Sequence, residues 1–156
     1  MTDTQVFFIA VFGLINFLIS IKGVIQCSKK GNSYGITWGL FPLGIFVWGD
    51  AVIFGIFWSI ASFACLVLRD WLLFLLIFSV FWLVRSIGET IYWFNQQFSN
   101  TQRYPPEQLF GHKIFKGKVI EEHDAIWFIN QIVMQCITVA TVITTIYLTH
   151  LWLNSF

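Results

Sequence analysis

The chain has 156 residues, 57% hydrophobic and only 11% charged, with 18 Phe, 8 Trp and a formal net charge of +1; its mean hydropathy is +0.74. Soluble proteins carry roughly 25% charged residues, and so small a globule has too much surface to cover with so few polar side chains. The composition excludes a soluble enzyme, a disordered chain, a collagen-like rod and, for want of a basic surface, a nucleic-acid binder. The expected surroundings are the lipid bilayer.

A helix needs about 20 apolar residues to cross a bilayer, and four runs are long enough: 6–25, 40–68, 71–94 and 126–149. The fold class this predicts is all-α: a polytopic membrane protein with one domain over 1–156, a four-transmembrane-helix bundle. The first run follows a leader with Asp3 and no Lys or Arg, which argues for a retained helix over a cleaved signal peptide. The second run is longer than a crossing needs and is expected either to tilt or to enter through an interfacial turn around Pro42 and Gly44. Its small residues Ala51, Gly55 and Ser59, four apart, predict a close approach by the first span, the fourth, or another copy. A turn at Arg69-Asp70 joins it to the third run as a hairpin. Trp38, Trp71, Trp93 and Trp152 fall near span ends, where such rings favour the headgroup level. Trp48, Trp58 and Trp82 do not, and core packing is expected for them.

The connection 95–125 is the only sizeable polar stretch. Tyr104-Pro105-Pro106 predicts a stiff exit from the third helix. Residues 112–120 (HKIFKGKVI) predict a short hairpin at the membrane surface, its lysines meeting anionic headgroups. In the fourth span Gln131, Gln135, Thr138, Thr141, Thr145 and Thr149 recur at three- and four-residue steps. Such a stripe packs helices more often than it lines a pore.

Cationic residues set the expected orientation. The first connection and its approach carry Lys22, Lys29 and Lys30, and the third carries Arg103, Lys113, Lys116 and Lys118, whereas the second has only Arg69 and the ends have none. The expectation is a multi-pass cell-membrane protein with both termini outside and the basic loops in the cytoplasm.

Only Lys22, Asp50, Arg85 and Glu89 are charged within the runs. Charges inside a span are costly and are the first place to look for function. Asp50 and Glu89 are equidistant from the Arg69-Asp70 turn, about 29 Å along if both helices are regular. Arg85 precedes Glu89 by one turn, so the three are expected to cluster as carboxylate, guanidinium and carboxylate. Two carboxylates sharing one guanidinium invite a proton or a cation, and Lys22 is a candidate to complete the set. With Asn130, Gln131 and Gln135 on the same half of the fourth span, the expected ion-binding residues are Asp50, Arg85, Glu89, Asn130, Gln131 and Gln135. The competing reading is structural glue that fixes helix register.

No metal or cofactor motif is present. His112, Glu121, Glu122, His123 and Asp124 are metal-type ligands without a zinc spacing, and solvated loop residues with acids at a helix start account for them. Cys27, Cys65 and Cys136 are single and far apart. Lys30-Gly31-Asn32-Ser33-Tyr34-Gly35-Ile36-Thr37, leading into an aromatic span, loosely resembles the first loop of small PQ-loop sugar carriers, over less than a tenth of the chain. The Pro-Gln pair that names those carriers is absent; the resemblance implies transport and no more. The leading expectation is a small carrier or channel-like protein, with a second copy expected to help enclose a pathway. Its rivals are an accessory or assembly subunit of a larger membrane complex and an intramembrane enzyme acting on a lipid headgroup through His112 and His123.

Overall fold

The computed structural model describes residues 1–37, 39–99, 105, 107, 109 and 125–155. The protein is an all-α, four-helix membrane protein: α1 (Asp3–Lys30), α2 (Trp48–Leu68), α3 (Trp71–Phe98) and α4 (Ala125–Leu153), each long and apolar enough to cross a membrane. Among the described residues there is no strand.

Three of the four helices outrun their apolar stretches. α1 has 28 residues, α3 28 and α4 29, about 42 Å of helix against the roughly 30 Å of a hydrocarbon core. The extra turns are polar ends that water and headgroups tolerate. α1 opens with a capping box, in which Thr2 Oγ1 accepts from Gln5 N at 3.3 Å and Gln5 Oε1 accepts from Thr2 N at 2.8 Å. It closes at Gly31, whose φ of 60° suits a residue without Cβ.

α2 is shorter than its apolar run. Of the two expected ways in, the turn is the one found. Phe41–Leu43 forms a single 3-10 turn with Pro42 near its start, Gly44 turns the chain at φ 71°, and the helix begins only at Trp48. The segment before it is pinned to the helix start: Thr37 N donates to Phe46 O at 2.9 Å, Trp48 N to Gly35 O at 3.1 Å and Gly49 N to Ser33 O at 2.8 Å. The buried Thr37 hydroxyl donates to Ile45 O at 2.8 Å, and Trp58 Nε1 donates to Leu43 O at 3.3 Å. Trp58 lies about 15 Å along α2, and its side chain leans back toward the helix start. The turn therefore lies against the first turns of α2. Irregular backbone is tolerated at such depth when its polar groups are bonded to protein.

Close contacts group the chain into two compact units, Met1–Phe78 with Leu148–Phe156, and Ser79–Tyr147. In the first, α1 and α2 meet along a seam of small residues. A Cβ added at Gly13 would lie 2.8 Å from Ser62 Cβ, one at Gly23 3.0 Å from Ala51 Cβ, and one at Gly55 2.7 Å from both Asn16 O and Ser20 Cβ. The neighbour of the Ala51, Gly55, Ser59 stripe is thus the first span, and Ser59 Oγ reaches across to Gly13 O at 3.2 Å. Above the seam Phe8, Phe12, Trp58, Trp71, Phe74 and Phe78 form an aromatic cluster with centroids 5.3 to 6.2 Å apart. The α2–α3 turn falls where expected. Arg69 takes φ 51°, and Asp70 caps α3 through Leu73 N at 2.9 Å while its other oxygen accepts from Trp152 Nε1 at 2.7 Å.

In the second unit hydroxyls and amides join α3 to α4. Ser79 Oγ pairs with Thr145 Oγ1 at 2.7 Å, Thr138 Oγ1 donates to Ser86 Oγ at 2.8 Å, and Gln97 Nε2 donates to Gln131 Oε1 at 2.7 Å. Thr141 instead bonds back to its own helix, donating to Ile137 O at 2.8 Å. The stripe of the fourth span packs helices in this unit. Trp58 and Trp82 are buried as expected, and so is Trp93.

Candidate functional site

The charged side chains of the spans fall in separate units. Asp50 lies in the first turn of α2, where its Oδ2 accepts from Phe46 N at 3.1 Å and Val47 N at 3.4 Å. Counting from the Arg69-Asp70 turn sets Asp50 level with Glu89 inside a helical run that begins at 40; α2 starts at Trp48, so Asp50 lies at a helix end, where the dipole favours a carboxylate. Lys22 is exposed, its ammonium 5.0 Å from the centroid of the Trp48 ring.

In the other unit Arg85 Nη2 meets Glu89 Oε1 at 3.0 Å, one helical turn apart. Glu89 is 7% exposed. It lies about 14 Å in from the C-terminal end of α3. On the same face, one and two turns further on, come Trp93 and Gln96, both buried. Trp93 Nε1 and Gln96 Oε1 have no hydrogen-bond partner. Each such orphan costs about 1–3 kcal/mol. The face thus presents a cation, a carboxylate, an N–H donor and a carbonyl acceptor along roughly 16 Å of helix. Its chemistry is that of a site for a small polar or charged species.

Of the amides expected to join the charges, Gln131 is half-buried and held by Gln97, Asn130 is half-buried, and Gln135 is exposed on the outside of α4. Trp93 and Gln96 were missed by sequence reasoning. Their four- and seven-residue spacing from Glu89 is visible, but nothing in a sequence tells an orphaned buried atom from a bonded one. The first unit holds a second pair of orphans, Asn16 Oδ1 and Ser62 Oγ, within the α1–α2 seam. His112, Glu121, Glu122, His123, Asp124 and the expected surface hairpin 112–120 lie outside the described residues, as do Trp38 and Tyr104.

No family model matches the chain, and no curated protein or solved structure is similar to it. The functional reading therefore rests on the site.

Proposed function

We propose that the protein is a small carrier or channel-like membrane protein in which Glu89 takes up and releases a proton or a monovalent cation and Arg85 holds it in register. The observation that carries this reading is the buried Arg85–Glu89 pair continuing along one face into Trp93 Nε1 and Gln96 Oε1, which are buried without partners. A structural ion pair has no need of two further unsatisfied polar groups beside it, and their cost makes sense where a transient ligand meets them. The excess of Lys and Arg in the first and third connections puts the Glu89 end of α3 on the cytoplasmic side and both termini outside. Asp50 we assign to holding the entry of α2.

The test is flux in liposomes. Purified protein is reconstituted with a trapped pH-sensitive dye, and H⁺, Na⁺ and K⁺ gradients are imposed in turn. Wild type is expected to dissipate one of them, and Glu89→Gln to lose that flux while keeping the wild-type helical circular dichroism. Flux in Glu89→Gln equal to wild type, or none in wild type with any of the three ions, sinks the proposal.

A further inference from the structure

α4 is the least covered helix: only 11% of its most apolar window is buried, against 22% to 33% for the other three. Its uncovered residues are not scattered. Phe128, Ile132, Gln135, Val139, Val142 and Ile146 are all exposed and follow one another at steps of four, three, four, three and four. That alternation is the heptad seam of a left-handed helix pair. Ile132, Val139 and Ile146 take one core position of the repeat, and Phe128, Gln135 and Val142 take the other.

Gln135 is the telling member. It lies about 15 Å from the start of α4, is exposed, and its side chain makes no hydrogen bond among the described residues. An amide facing hydrocarbon is costly, and a single polar residue in an otherwise apolar seam commonly fixes register and copy number. A glutamine is self-complementary, since its NH₂ donates and its carbonyl accepts. Two copies inserted the same way and related by a two-fold axis along the bilayer normal set Gln135 opposite its twin with both groups matched.

We propose that a second copy of this chain docks on this face, α4 against α4 in parallel, with the Gln135 amides paired across the two-fold axis. A different protein would need its own matching seam and amide, which the two-fold supplies without further assumption.

The experiment is disulfide scanning in native membranes of a chain freed of its own thiols (C27S, C65A, C136S). On oxidation with copper phenanthroline, I132C, V139C and V142C are expected to form covalent dimers. V133C and T144C are also exposed but lie on the far side of α4, and are expected to form none. Dimers at all five positions alike, or none at V139C, overturn the proposal. The second measurement leaves every native residue in place. Energy transfer between wild-type copies labelled at the N terminus is expected to persist as vesicle lipid is added. Transfer that falls in step with lipid dilution also overturns it.

Discussion

Adding the same methyl group at two glycines is expected to move stability in opposite directions. In a helix interior Ala is favoured over Gly by about 1 kcal/mol. At Gly88 a new Cβ meets nothing within 4 Å, so Gly88→Ala should keep that gain. At Gly55 it would stand 2.7 Å from Asn16 O and 3.0 Å from Ser20 N, both main-chain atoms of α1 that no side-chain rotation can remove. Ordinary contact begins at 3.4 Å, so the helices must part locally by about 0.7 Å. Overpacking of this kind costs about 1–3 kcal/mol. The separation leaves the Ser59 hydroxyl satisfied, because its single proton has Gly55 O at 2.7 Å as well as Gly13 O at 3.2 Å. After the propensity gain, Gly55→Ala should lose about 1 kcal/mol and differ from Gly88→Ala by about 2 kcal/mol. Unfolding by SDS in mixed micelles, followed by tryptophan fluorescence, reads both, since Trp58 sits beside the seam. Equal shifts of the two variants in the same direction would refute the claim that α1 and α2 meet backbone to backbone.

Two further outcomes are expected on the same apparatus. Arg85→Met leaves the buried Glu89 carboxylate without its guanidinium and should cost about 3 kcal/mol or more, most of it regained in Arg85→Met/Glu89→Leu, because a buried charge is expensive mainly when its partner alone is removed; a double variant as unstable as the single one speaks against the pairing. Asp70→Ala removes the α3 cap and the acceptor of Trp152 Nε1 together, about 1 kcal/mol for the cap and another 1–3 kcal/mol for the indole, with faster hydrogen exchange at Leu73 as its local signature and Asp70→Asn, whose single carbonyl oxygen can answer only one of the two donors, intermediate.

Hydropathy measures solvent, and what depends on solvent was legible. The four spans and the Arg69-Asp70 hairpin follow from apolar length and one charged break. The helix ends do not, because polar turns at either end of α1, α3 and α4 remain helical outside the hydrocarbon. Leu40 to Val47 reads as apolar as the helix after it, so only the local chemistry of Pro42 and Gly44 separates turn from helix, and hydropathy is blind to it. That one boundary also decides Asp50. A helix starting at Leu40 would bury it, and a helix starting at Trp48 makes it a cap. The small residues of α2 were visible, but their neighbour was not. The answering set on α1, Gly13, Asn16, Ser20 and Gly23 at steps of three, four and three, gains meaning only once the two helices are known to be antiparallel neighbours.

The polar residues of the spans separate the same way. Thr138, Thr145 and Gln131 find partners on α3, so their stripe is spent on packing. Gln135, one turn on from Gln131, turns outward and finds none among the described residues. Trp93 Nε1 and Gln96 Oε1 are turned inward and find none either. A sequence records these as equivalent polar letters in an apolar text, yet the cost of an unpaired polar group in lipid makes the unpartnered ones the informative ones. An outward amide must be answered by something beside α4, and inward orphans by something that enters. The second copy and the permeating ion are the answers we propose for each, and because the two sites share no residue, either can fail without the other.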